Sequence, residues 1–186
     1  DAVDVTTDFH VAAVHPLPMF RLPSTPRRYG RNVTLTATTG PDLHRLQGGP
    51  AALAPVFTVT PQSDYIGVRL TGGDLHLHVR DEILSRGVPV GAVEVPPSGE
   101  LIMLLRGRLV TAGYPVVAVL TRLAVDRLAQ TRPGDEVSLQ LVDSAAAQRA
   151  IEVAEMDHVA TATYLARALR ARGLGNLLDP QHASTA

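Results

Sequence analysis

The residues best suited to chemistry lie between positions 62 and 116. Glu94, on a short apolar run, can act as a general base if burial raises its pKa, and is otherwise a solvated carboxylate. Tyr114 offers a phenol directly after Thr111-Ala112-Gly113, where a glycine lets backbone N–H groups approach an anion, or simply makes a tight turn. Arg69 can grip a carboxylate with two parallel hydrogen bonds, or pair internally with Asp81 or Glu82. Ser63 and Asp64 follow Pro61 and either contact a ligand or close a turn; no base stands beside Ser63 to make it a nucleophile. Asp74, His76 and His78 alternate, so all three can share one strand face. That pattern suits zinc, which needs three or four convergent ligands, and equally an exposed polar face opposite Leu75, Leu77 and Val79.

Composition removes other chemistries. The chain has no cysteine, so disulfides, thiolate metal sites and a cysteine nucleophile are excluded. It also has no lysine, all 17 basic residues being arginine. A Schiff-base lysine, a biotin attachment site and a Walker A phosphate loop are therefore impossible within it. The net charge is −1 with no basic block, which argues against a nucleic-acid groove. No apolar run approaches the roughly 20 residues that span a membrane, and the acidic, polar start does not resemble a signal peptide. The expected location is cytoplasmic. The first residue is Asp rather than Met, so the chain reads as a fragment or one that has lost its start.

The elements that must position these residues follow from hydrophobic periodicity. Residues 1–32, with Pro16, Pro18, Pro23 and Pro26, read as a linker or the remnant of an upstream domain. Val33–Thr38 alternates as a half-buried strand. Asp42 is placed to cap a short helix running to Leu46. Val56–Thr60, Ile66–Leu70, Leu75–Val79 and Ala92–Val95 read as further strands. Leu101–Leu105 and Val116–Leu120 are unbroken apolar runs, as strands buried on both faces would be. Arg122–Gln130 reads as a helix with Leu123 and Leu128 inward, and Val137, Leu139 and Leu141 line a last strand. From Ser144 to Arg172 the chain is rich in Ala, Arg and Glu without Gly or Pro. This predicts one long helix, or a hairpin broken near residues 158–163, with Ser144 as N-cap and Gly173 just past its end. Residues 179–186 read as frayed. About eight short strands with few helices imply a closed, mostly antiparallel barrel, because closure removes exposed strand edges.

Four blocks in order resemble a known family. The first is Gln62-Ser63-Asp64-Tyr65-Ile66-Gly67-Val68-Arg69-Leu70. The second runs from Glu82-Ile83-Leu84-Ser85-Arg86-Gly87 to Gly91-Ala92-Val93-Glu94-Val95-Pro96-Pro97-Ser98-Gly99. The third is Thr111-Ala112-Gly113-Tyr114-Pro115, and the fourth Leu128-Ala129-Gln130 with Arg132-Pro133-Gly134-Asp135. Together these make residues 62–142 similar to the C-terminal half of the C-type subunits of 5-oxoprolinase, the family also labelled allophanate hydrolase subunit 2. That family includes KipA-type proteins and the carboxyltransferase region of urea carboxylase. The resemblance implies a cyclophilin-like barrel, placed over residues 33–143; the composition of residues 144–186 makes them a helical extension. It implies a B-type partner of similar fold, an A-type partner that handles phosphorylation, and ATP-dependent opening of the 5-oxoproline lactam to glutamate. ATP would be used by the complex and no cofactor held by this chain. On their own chemistry, Glu94 and Tyr114 are the expected catalytic pair, and Ser63, Asp64, Arg69, Thr111 and Gly113 the expected binding residues for a carboxylate substrate.

The chain departs from the pattern at several polar positions. Tyr65 stands where the family shows Arg, Val68 for Tyr, Arg86 for Glu and Glu94 for Gln. Across Arg106–Val116 an acid, an amide, a hydroxyl and a lysine are replaced by apolar residues or glycine. These changes leave three readings open: a hydrolase subunit with an altered substrate, a KipA-type regulatory or scaffolding module, and the carboxyltransferase part of a urea carboxylase with a separate biotin carrier.

Overall fold

The computed structural model describes residues 30–78 and 83–175. Its strands are β1 (Asn32–Thr39), β2 (Phe57–Val59), β3 (Gly67–Thr71), β4 (Arg86–Gly87), β5 (Ala92–Glu94), β6 (Leu101–Leu104), β7 (Thr111–Ala112), β8 (Val116–Leu120) and β9 (Glu136–Leu141). Helix α1 (Arg122–Leu128) lies between β8 and β9, and α2 (Ser144–Ala171) follows β9. Seven strands close into a barrel in the order β1-β8-β5-β6-β3-β2-β9, while β4 and β7 form a separate two-stranded ribbon. The barrel is antiparallel except at its seam, where β1 and β9 run parallel with Val33 opposite Val137 and Leu35 opposite Leu139. The mainly β barrel with an internal helix and a C-terminal helix matches the sequence expectation.

Alternation drives the packing. Val68, Leu70, Val93, Val95, Leu101, Met103 and Val117 join Leu35, Phe57 and Val137 in the main core. Their neighbours one residue along point to the outer face. There Ala92, Ile102, Leu104 and Val116 form a second cluster with Val88 and Ala112, which the ribbon segments bring over the wall. The continuous apolar runs of β6 and β8 thus arise because both faces are covered, one by the core and one by the ribbon layer. Helix α1 starts at Thr121, whose hydroxyl accepts from Ala124 N–H at 3.3 Å. It commits Ala124, Val125 and Leu128 to the main core, with Leu123 only half-buried.

Several local expectations are corrected. Leu75 and Leu77 do not lie on a barrel strand; a single bridge joins Leu77 to Leu46. The cause is Gly72-Gly73. Gly72 has φ +111°, and a Cβ on Gly73 would lie 2.4 Å from the Phe57 ring, so the chain turns away after β3. The segment then docks along residues 45–47, with His78 N–H donating to Arg45 O and Gln47 N–H to His76 O. Val79 lies outside the described residues, as do residues 1–29 of the expected linker and 179–186. Asp42 precedes a single 3-10 turn, Leu43–Arg45, and makes no side-chain cap, because its carboxylate is used elsewhere. The N-terminus of α2 is capped by Asp143, whose Oδ1 accepts from Ala146 N–H at 2.6 Å, and Ser144 is already helical.

The described residues divide into two compact units, the first ending at residue 155 and the second beginning at residue 156. The barrel and ribbon belong to the first. In the second, α2 continues unbroken to Ala171 and closes with Gly173 at φ +74°. Gly173 N–H donates to Arg170 O and Leu174 N–H to Leu169 O, the paired bonds of a Schellman ending.

Candidate functional site beneath the β4–β7 ribbon

The site is built on the outer face of β5. Glu94 alternates with the inward Val93 and Val95, and so points outward, opposite Ile102 on β6 and Val116 on β8. A register shift between Val93 and Glu94 interrupts the β5–β8 ladder at this point. Such irregularities often re-aim a side chain near a site. On an open sheet this carboxylate would be solvated. Here the covering layer leaves it only 2% exposed. Its Oε1 is buried with no hydrogen-bond partner among the described residues. Burial penalises the charged form and raises the Glu94 pKa to about 7, against a smaller opposing pull from the Arg86 guanidinium.

Arg86 reaches this region from the ribbon. Arg86 pairs with Ala112 and Gly87 with Thr111 in the β4–β7 ladder, extended by Val88 N–H donating to Val110 O. Arg108 Nε adds a bond to Val88 O at 2.9 Å. The Arg86 Nη2 donates to Asp42 Oδ2, forming an ion pair with a carboxylate whose residue is 4% exposed. The same Asp42 oxygen accepts Val116 N–H at 2.7 Å. Asp42 therefore ties the ribbon to β8, one strand from Glu94.

Gly40 makes this tie feasible. Its backbone lies so close to β8 that a Cβ would sit 2.3 Å from Val116 O and 2.6 Å from Ala118 N. Only glycine allows Gly40 N–H to reach Val117 O at 2.9 Å and Asp42 N–H to reach Val116 O at 3.0 Å. Asp42 and Arg86 are the residues whose pairing the sequence did not reveal. The signals available were the run Gly40-Pro41-Asp42, a glycine-proline turn ahead of the four blocks, and the charge change at Arg86.

The remaining expected residues fall into two groups. Thr111, Gly113 and Tyr114 lie on β7 and on the loop that leads from it to β8, the strand beside β5. Thr111 is a ribbon residue, and Gly113 packs so that a Cβ would lie 3.0 Å from Ile83 O. Tyr114 is 42% exposed and precedes Pro115, whose carbonyl accepts Val95 N–H at 3.1 Å. Ser63, Asp64 and Arg69 gather around the start of β3. Ser63 Oγ accepts Arg69 N–H at 3.0 Å. Asp64 Oδ1 accepts Ile66 N–H at 2.8 Å and Gly67 N–H at 3.1 Å, which closes a turn. Arg69 lies opposite Ile102, on the same outer face as Glu94 but two strands away, roughly 10 Å at normal strand spacing. Its Nη1 pairs with Glu100 at 2.7 Å; Asp81 and Glu82 lie outside the described residues. Asp74 and His76 form an exposed pair at 2.8 Å. Among the described residues no group of three or more potential ligands converges to hold a metal ion.

A barrel whose outer wall holds a buried carboxyl beneath a glycine-pinned ribbon is the setting for the family comparison. The carboxyltransferase domain family, subdomains A and B, matches residues 7–141, and the chain belongs to that family. The 5-oxoprolinase C subunit of Haemophilus influenzae is 36% identical over 86 residues, covering 46% of this chain and 28% of that protein. The Escherichia coli protein of the same name is 30% identical over 105 residues, covering 55% of this chain and 34% of its own length. The chain thus spans about a third or less of the curated relatives it matches. The urea carboxylase of Kluyveromyces lactis shares the fold, with a TM-score of 0.58 at 17% identity over 63% of this chain and 12% of that one. No helix among the described residues is long and apolar enough to cross a membrane.

Proposed function

We propose that this chain is part of an ATP-dependent amide or lactam hydrolase complex of the 5-oxoprolinase type, in which it contributes a site for a small carboxylate substrate next to a B-type partner. The observation that carries this reading is Glu94: a buried carboxyl whose Oε1 has no partner among the described residues, with a pKa of about 7. Such a group can accept a proton and return it near neutral pH, as general base catalysis requires. Similarity to two proteins named as C subunits of 5-oxoprolinase supports the substrate class. Tyr114, which precedes Pro115, whose carbonyl accepts Val95 N–H, is the expected partner phenol. In this reading ATP is consumed by the complex through an A-type partner, as the family resemblance implies, and these lysine-free residues supply no phosphate loop. The working compartment is the cytoplasm.

The test is co-expression with A-type and B-type partners, followed by an assay of ATP-dependent glutamate formation from 5-oxoproline. Activity that disappears when this protein is omitted supports the reading. A stable complex with no turnover on 5-oxoproline, urea or allophanate opposes it and favours a regulatory or scaffolding role. One observation supports that second role: Arg69 and Asp64 are already satisfied by Glu100 and by backbone N–H groups. Biotin-dependent carboxyl transfer in the same assay would instead favour the urea carboxylase type, with biotin carried by another protein.

A further inference from the structure

We propose that Arg86 is the residue that anchors the substrate carboxylate, held in position by Asp42, and that the ligand group lies between Arg86 and Glu94 beneath the ribbon. This rests on the functional reading above and assigns the recognition residue within it.

Three observations support the assignment. First, the Arg69 guanidinium is engaged by Glu100 at 2.7 Å and stands two strands from Glu94. A carboxylate bound there would share the guanidinium with Glu100 and would sit over β3, two strands from the proton-transfer group. Second, Arg86 is the charged group whose field acts on the Glu94 carboxyl, and its side chain is partly exposed while Asp42 is nearly fully buried. A guanidinium carries five N–H donors in a planar fork. One of the hydrogen bonds is given to Asp42, and among the described residues the others have no partner and can meet a second carboxylate. Third, Glu94 is 2% exposed and its Oε1 has no partner among the described residues. An isolated buried carboxyl is costly unless it meets a ligand or is protonated. A ligand offering a carboxylate to Arg86 and an amide to Glu94 satisfies both.

Asp42 acts as a positioning residue. It fixes the guanidinium from one side and is itself fixed by Val116 N–H on β8. The chemical class implied is a small carboxylate that carries an amide or lactam, with the carboxylate on Arg86 and the C–N group toward Glu94.

The experiment compares 5-oxoproline with its neutral carboxamide by calorimetry on the protein in complex with its A-type and B-type partners. Wild type is expected to prefer the acid at least tenfold. Arg86→Met is expected to weaken 5-oxoproline binding at least tenfold and to abolish that preference. Arg86→Lys keeps the charge beside Asp42 but loses the fork, and is expected to weaken binding about threefold to tenfold. If Arg86→Met does not fold because Asp42 is left unpaired, Arg86→Lys and the double variant Asp42→Asn/Arg86→Met give the same comparison. Arg69→Met is expected to change affinity less than threefold. Arg86→Met also removes the cation that lowers the Glu94 pKa, so the acid limb of the activity profile is expected to move above pH 7. Unchanged 5-oxoproline affinity in the Arg86 variants, or a tenfold loss in Arg69→Met instead, overturns the assignment while turnover by wild type leaves the functional reading standing. Neither binding nor turnover by the wild-type complex overturns both.

Discussion

The two faces of β5 and β6 are made by the same residues in alternation, yet they do different work. Inward, Val93, Val95, Leu101 and Met103 sit in the main apolar core. Outward, Ala92, Ile102 and Leu104 share their layer with Glu94, whose carboxyl is nearly as buried as the core side chains. The inner face gains stability from apolar area and close packing. The outer face retains a charge-bearing group that burial opposes, and the ribbon held by Asp42 and Arg86 is what buries it. The comparison teaches that a buried carboxyl can be confined to a covering layer without disturbing the core that holds the barrel closed.

The largest expected effect tests the inner face. Leu101→Ala or Met103→Ala should lose about 2–5 kcal/mol of stability, read by urea denaturation. The loss should be the same at pH 5 and pH 8, because nothing in that core titrates. A strong pH dependence would blur the distinction between the faces.

Glu94→Gln tests the outer face and should do the opposite. The Glu94 pKa is raised on folding from 4.5 to about 7, so the folded state holds a proton that the unfolded state has released between those values. Wild-type stability should therefore fall as pH rises from about 4.5 to 7, and level off above. Glu94→Gln should be more stable than wild type at pH 8, by an amount on the order of 3 kcal/mol, and equal to it at pH 4. In the reconstituted complex the same variant should lose about 100-fold to 10,000-fold in turnover if Glu94 is the general base. A gain in stability with full activity would leave Glu94 buried but idle.

The ribbon tether comes next. Gly40→Ala inserts a Cβ into the β8 backbone and should cost about 1–3 kcal/mol. It should also increase hydrogen exchange at Val116 N–H, whose acceptor is Asp42. Unchanged protection there would show that the ribbon is held by its ladder alone. The smallest effect is expected at Ser63→Ala, which removes a partly buried hydroxyl bond to Arg69 N–H and should cost about 1 kcal/mol. A loss of substrate affinity without loss of stability would return Ser63 to the binding site.

Much of this was legible in the sequence. Period-two alternation placed Val68 and Leu70 inward with Arg69 outward. The apolar runs at 101–105 and 116–120 marked strands covered on both sides, and the Ala-rich stretch before Gly173 marked α2. These features are local: a residue's type and its neighbours two or four positions away determine which face it takes. The family blocks contain Glu94 and Tyr114, which the sequence singled out as candidates without any coordinates. Tertiary structure alone decided that Glu94 is buried rather than solvated, because burial there depends on Val88 and Ala112 arriving from the segments around β4 and β7. It also decided that Asp42 gives its carboxylate to Arg86, 44 positions away, rather than to a helix cap, and that Arg69 is engaged by Glu100. Charges on separate segments have no spacing rule that pairs them. Their partners are fixed only when barrel closure and the Gly40 contact bring those segments together, and the field at Glu94 is fixed by the same event.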